Sequence, residues 1–254
     1  MPLEDGTNGE REDIATPLPA DWTASSLNDV VLYGTHASPP CFKIRALLNL
    51  AGVKYERSFG KSSGSYRKFP VLFVNGRQIN DSYIITKTLA PILFGQPLTP
   101  ADIELEETIT FGLMLACERE AFGDEECLKQ WASVAGLTGL TGLLIRNLAP
   151  LSYGKEAAAR LSKRYPNLRQ PGEYCLELQR ILDVRGTPFF AGTRPGAIDA
   201  SAYGALCAWA SGGENTMPFA KQALTKSGLD AWYERAGKEI PNVFDLQGWW
   251  PFYT

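Results

Sequence analysis

The chain has 254 residues, enough for two ordinary domains, and 44% of them are hydrophobic, so sizeable cores can be buried. A formal charge of -3 argues against a nucleic-acid-binding surface, which is normally basic, and no run of about 18 apolar residues is present to cross a membrane. The five cysteines (Cys41, Cys117, Cys127, Cys175, Cys207) form no CxxC pair and His36 is the only histidine, so no metal site and no disulfide framework are expected, and a reducing, cytoplasmic setting fits.

Residues 1–27 are polar, acidic and proline-containing. They lack the cationic start and apolar stretch of a signal peptide, and read as a flexible leader with Trp22 as its anchor. Asp29 to Tyr33 reads as a buried strand. Cys41, Ile44, Leu48 and Ala51 then follow helical spacing from Pro39 onward, with Gly52 as a stop. Ser38 stands before Pro39 as a natural N-cap. Val53 to Phe59 alternates and reads as a second strand, followed by the short basic loop GKSSGSYRK (60–68).

The stretch FPVLFVNGRQINDS (69–82) is the most informative in the chain. Asn75-Gly76 between two apolar runs predicts a hairpin, because both central positions of a type I′ turn need positive φ. Pro70 cannot donate to a ladder, which places it at the start of a strand. Asp81 and Ser82 open a helix whose apolar residues Ile85, Leu89 and Leu93 recur every fourth position.

The organisation is a leader (1–27), an α/β domain (28–94), a linker (95–102) and an all-helical domain (103–254). Leu105, Ile109, Gly112, Leu113 and Ala116 make one apolar stripe, and further helices are expected near 155–164, 171–184, 197–211 and 228–239. Gly136, Gly139 and Gly142 invite a phosphate-loop reading, but no Gly-Lys-Ser/Thr follows and no strand precedes them. Close helix approach is the plainer role.

A proline, a hairpin and an acid–serine pair at a helix start resemble the glutathione-holding half of a thioredoxin-like domain. An α/β domain followed by an all-helical one is the plan of the glutathione transferase superfamily. Within it, SYRKFPVL (65–72), INDSYII (79–85), SYGKEAAARLSKRY (152–165), FFAGTRPGAIDASAYGAL (189–206) and GLDAWYERAGKEI (228–240) are similar to segments of the membrane-associated prostaglandin E synthase type 2 family. The resemblance covers roughly residues 29–240.

It implies that Pro70 is a cis-proline that leaves the N–H and C=O of Val71 for the cysteinyl part of glutathione. Asp81 would take the γ-glutamyl ammonium, and Ser82 with the helix N-terminus its carboxylate. Lys61, Arg67 or Lys68 would meet the glycyl carboxylate. The family's CPxC motif is Ser38-Pro39-Pro40-Cys41 here, so dithiol chemistry is excluded at this motif. Ser38 either donates to the glutathione sulfur, as serine does in several transferase classes, or simply caps the helix. Cys41, the second motif position, is the other catalytic candidate that the resemblance implies, a single thiol that also falls on the apolar stripe. Gly196 replaces the Ser, Thr or Asn usual in the capping box with Asp199.

The implied activity is a glutathione-dependent transferase or isomerase. Its acceptor would be an apolar electrophile or endoperoxide lying against residues 105–120. A non-catalytic glutathione-fold binding or assembly module is the alternative. The resemblance also implies a homodimer and allows haem beside glutathione, although no residue here independently signals haem.

Overall fold

The computed structural model describes residues 18–35, 38–58, 66, 68–134, 154–210, 216–241 and 243. Residues 1–17 of the leader, His36, Lys61, Arg67 and the glycines at 136, 139 and 142 lie outside them.

The first half contains β1 (Val30–Tyr33), α1 (Pro39–Leu50), β2 (Glu56–Ser58), β3 (Val71–Val74), β4 (Arg77–Asn80) and α2 (Ser82–Phe94). The sheet runs β2-β1-β3-β4, with β1 and β2 parallel and the remaining pairs antiparallel. This is the thioredoxin-like arrangement expected. Asn75 (φ 49°) and Gly76 (φ 78°) form the hairpin corner, both left-handed as a type I′ turn requires.

β2 is shorter than the alternating pattern suggested. Gly52, at φ 68°, ends α1 in a Schellman motif: its N–H donates to the Asn49 carbonyl and that of Val53 to the Leu48 carbonyl. Val53 therefore belongs to the helix cap, and pairing begins only at Glu56. The leader also ends earlier than residue 27. Trp22 packs on the core beneath the Arg77 guanidinium (5.8 Å), and Leu27 is buried. Asn75 fastens this entry, its side chain accepting from the Asn28 and Asp29 N–H groups and donating to the Ser26 carbonyl.

The second half contains α3 (Pro100–Glu107), a π-helical segment (Thr108–Leu113), α4 (Met114–Gly123), α5 (Glu125–Val134), α6 (Lys155–Arg164), α7 (Pro171–Arg185), α8 (Ala197–Ala210), α9 (Pro218–Ser227) and α10 (Asp230–Glu239). The predicted stripe is buried from Leu105 to Ala116, but the π segment interrupts the helix that carries it. There Gly112 lies against the Tyr174 ring of α7, which leaves no room for a Cβ. Helix α9 was not foreseen, and Gly228 is not the start of the last helix. It sits at φ 77° as the left-handed stop of α9.

Helix α8 joins the halves. Its residues are buried from Ala197 through Trp209, and it crosses α1 so closely that a Cβ on Gly204 would lie 2.6 Å from both the Lys43 Cα and the Phe42 carbonyl oxygen. Asp199, fully buried, accepts from the N–H groups of Phe190, Ala191 and Gly196 and from the Trp232 indole. Gly196 departs from the usual capping residue because a Cβ there would meet that of Ala191 at 2.6 Å. Among the described residues no helix is long and apolar enough to cross a membrane.

Candidate active site

Where the two halves face each other lies a cleft of about 160 Å³. The α/β half contributes the start of α1 at Pro40, the approach to β3 through Lys68 and Phe69, and the start of α2 at Asp81 and Ser82. A larger hollow of about 420 Å³ lies along the linker, but Arg185 and Asp102 on its wall are already paired to each other at 3.0 Å.

The α2 start is fixed by the hairpin. The Asp81 N–H donates to the Pro70 carbonyl at 3.3 Å, which ends the β3–β4 ladder and turns the chain into the helix. Asp81 sits at φ 70°, ψ 126°, a backbone region that costs an L residue of order 1–3 kcal/mol and is concentrated at functional positions. Its carboxylate accepts from the Tyr83 N–H at 2.9 Å, so it caps α2. Ser82 is buried yet lines the cleft, and its hydroxyl has no protein partner among the described residues. With the first-turn N–H groups of α2 beside it, this corner is suited to a carboxylate.

The Phe69–Pro70 peptide is cis, as the resemblance implies. The reading of Val71 needs correction. The bonds from Asp81 N–H to Pro70 and from Asn75 N–H to Asp29 set the alternation of the two antiparallel ladders. They make Val71 opposite Tyr33 a hydrogen-bonded pair, so both backbone groups of Val71 are turned to β1, and the residue is buried in the sheet. Phe69, the residue before the proline, lines the cleft and makes no backbone hydrogen bond among the described residues. The backbone edge open to an added strand is that of Phe69.

Ser38 and Cys41 occupy the entry to α1 and are not among the residues lining the cleft, although Pro40 between them is. Ser38 holds the extended N-cap conformation (φ -82°, ψ 119°), and its carbonyl accepts from the N–H groups of Cys41 and Phe42. Its hydroxyl makes no capping bond, so capping by the side chain is not its role. Cys41 is fully buried, and burial pushes its thiol up to about 11 against smaller opposing hydrogen bonds to the Ser38 side chain and the Thr35 backbone. Only about one thiol in ~10⁴ is then ionised at neutral pH, so Cys41 is corrected from candidate nucleophile to core residue.

The helical wall carries residues that the sequence reading covered only as a range. Phe111, Met114, Leu115 and Glu118 recur at i, i+3, i+4 and i+7 beside the core stripe and line the cleft together. That second spacing was legible in the sequence. Arg164 and Tyr165 at the end of α6 close the far side. Burial pushes the Glu118 carboxyl up to about 7. The two walls are tied by a wholly buried cluster that sequence reasoning missed: Lys43 of α1 donates to Glu106 Oε1 of α3 at 2.6 Å and to the hydroxyl of Thr110, which itself donates to Glu106 at 3.0 Å. Tyr83 adds a second tie, donating to Glu107 at 2.7 Å with its ring 5.2 Å from that of Phe111.

No histidine or cysteine is among the described cleft residues, and no step is derived through haem.

No family model matches the sequence, and no curated protein does. Solved structures do. A glutathione S-transferase from Methylobacterium radiotolerans, in complex with glutathione sulfonate, is similar over 89% of this chain and 98% of its own, with a TM-score of 0.50 and 16% identity. A Tau class glutathione S-transferase from mango is similar over 86% and 95% (TM-score 0.46, 22% identity), and a rice transferase in complex with glutathione over 86% and 92% (TM-score 0.46, 21% identity). Likeness at such identity concerns architecture alone: the chain has the glutathione transferase fold, a thioredoxin-like α/β half followed by an all-helical half.

Proposed function

We propose that the protein is a glutathione-dependent transferase whose cleft holds glutathione against the α/β wall and an apolar acceptor against the helical wall. The observation that carries this reading is the convergence of Phe69, Asp81 and Ser82 on one side of a cleft whose other side presents Phe111, Met114 and Leu115. Glutathione is the ligand class, carried over from a protein of this fold that was solved with glutathione sulfonate. Its γ-glutamyl carboxylate meets Ser82 and the α2 N-terminus, its ammonium meets Asp81, and its cysteinyl backbone pairs with Phe69.

The sulfur then points toward the α1 start, where the Ser38 hydroxyl is not used as a cap. A hydrogen bond to a thiolate contributes about 1.5–3 kcal/mol, and the helix N-terminus about 0.3–1 kcal/mol more. Together they would bring a thiol of ordinary pKa near ~8.5 down to roughly 6.5–7. The finer reading, endoperoxide isomerisation with a homodimeric assembly, is implied by the type 2 synthase resemblance. It would proceed here without a thiol pair, since Ser38 replaces one cysteine and Cys41 is buried.

The test is a titration of the protein with glutathione, following thiolate absorbance across pH for wild type and Ser38→Ala. A bound thiol titrating near neutrality, and moving up by roughly one to two units in the variant, supports the serine-type enzyme. Binding with an unshifted thiol leaves a non-catalytic module, and no binding removes the ligand altogether.

A further inference from the structure

The two ends of α2 open on different spaces. Ser82 at its start lines the cleft, whereas Phe94 at its end lines the hollow of about 420 Å³ along the linker. At about 1.5 Å of rise per residue, the helix from Ser82 to Phe94 sets the two walls roughly 18 Å apart.

The charged residues lining the hollow are Asp102, Arg185 and Arg194. Arg185 pairs with Asp102 at 3.0 Å and also donates to the Phe190 carbonyl, so these two charges offset each other. Arg194 is exposed and has neither ion pair nor hydrogen bond among the described residues, which leaves the wall one uncommitted positive charge. The side-chain amide of Gln96, on the same wall, is also without a hydrogen bond among the described residues.

The loop that carries Arg194 is held at both ends. The N–H groups of Ala191 and Gly196 donate to the Asp199 carboxylate at 3.1 and 3.0 Å, and Phe189 and Gly192 exchange backbone bonds within it. A ligand at Arg194 therefore has little backbone to order. Asp199 also offsets the positive end of the α8 dipole, so the guanidinium is the group that defines what the hollow attracts.

Most of the remaining wall is apolar. Phe94 and Leu98 are half-buried, Phe190 and Ile198 are buried, and the four come from both halves and the linker. A flat apolar body laid on them removes further apolar surface from water. An apolar cavity of about 150 Å³ holds one benzene. A hollow of about 420 Å³ therefore has room for two fused rings and an anionic group.

We propose that this hollow is a second ligand site, for a bicyclic aromatic monocarboxylate. The carboxylate meets the planar fork of Arg194 and the Gln96 amide, and the rings lie on Phe94, Leu98, Phe190 and Ile198. One uncommitted cation selects a single negative charge. A phosphate monoester would bring a second charge beside Asp102 with nothing left to balance it. The assignment does not depend on the glutathione reading of the cleft.

The experiment is calorimetric titration of the full chain with 2-naphthoate, with 2-naphthamide as the uncharged probe and 2-naphthyl phosphate as the dianion. Wild type should bind 2-naphthoate about 10-fold more tightly than either of the others. Arg194→Gln should lose about that factor and no longer tell naphthoate from naphthamide. Arg194→Lys should recover only part of it, because an ammonium keeps the charge without the fork. Since Arg194 is exposed, Arg194→Gln should keep the wild-type Tm, which assigns the loss of affinity to the site. Saturating glutathione should leave naphthoate binding unchanged. The proposal is overturned if wild type does not bind naphthoate, if Arg194→Gln binds it as tightly as wild type, or if naphthyl phosphate binds as well. Displacement of naphthoate by glutathione overturns it too, because the probe then occupies the cleft.

Discussion

The two walls of the cleft are built by different means. On the α/β side the groups that line the cleft are held by backbone geometry: the turn at Asp81, the first turn of α2 and the strand edge at Phe69, with the left-handed hairpin corner at Asn75 and Gly76 setting the register from the far end of the ladder. On the helical side they are side chains on one helix face, interchangeable without altering the path of the chain. The first wall keeps its strand edge and first-turn amides whatever the side chains, and adds only the Asp81 and Ser82 side chains to them. The second can be retuned by substitution at four positions, so under the proposed function acceptor preference is set there.

The sharpest way to break this division is to cut the tie between the walls. Lys43→Met leaves Glu106 as an uncompensated charge in a site from which water is excluded, and its second oxygen, Oε2, already lacks a partner. Removing one member of such a pair costs about 3–5 kcal/mol, whereas removing both in favour of well-packed apolar groups is often neutral. Urea unfolding should therefore show Lys43→Met severely destabilised and Lys43→Met/Glu106→Leu largely restored. If the double variant were as unstable as the single, the cluster would be holding the walls in register by more than charge balance.

A smaller effect separates recognition from stability on the α/β wall. Asp81→Asn keeps an N-cap acceptor and a residue type that tolerates positive φ, but removes the charge. A charge-assisted hydrogen bond contributes about 1.5–3 kcal/mol, so glutathione affinity measured by calorimetry should fall by about 10–100-fold with Tm nearly unchanged. Unchanged affinity would remove Asp81 from the ammonium site. Asp81→Ala is less informative, because it also loses the cap to Tyr83 and forces a β-carbon without a compensating bond into a strained backbone.

How far each wall was legible follows from the same difference. Asn-Gly, Pro70 and the Asp81–Ser82 helix start announce their backbone conformations within a few residues, and the structure keeps all three. Val71 was misassigned because the direction of a strand's N–H and C=O groups depends on the register of two ladders, which no local signal states. Lys43, Glu106 and Thr110 are ordinary helix residues until α1 is laid against α3, a contact spanning more than sixty positions in the chain. Helix α9 could have been recovered from Pro218 at its first position and Gly228 at its end. Read as a beginning, that glycine hides the helix it ends.

The smallest effect concerns the helical wall alone and needs no ligand. A carboxyl raised to about 7 in the folded state, against roughly 4.3 in the unfolded chain, binds more protons folded than unfolded between those values. Stability must then decline as pH rises from about 4.5 to 7 and be flat with respect to this group above that. Glu118→Gln removes the contribution, so the variant should match wild type in Tm near pH 4.5 and exceed it by pH 8, the gap opening across the interval. A gap that is the same at both ends would mean that Glu118 titrates like a surface acid. A gap that grows means the fold bears a cost for holding this carboxyl in the cleft, a cost that core packing gives no reason to retain.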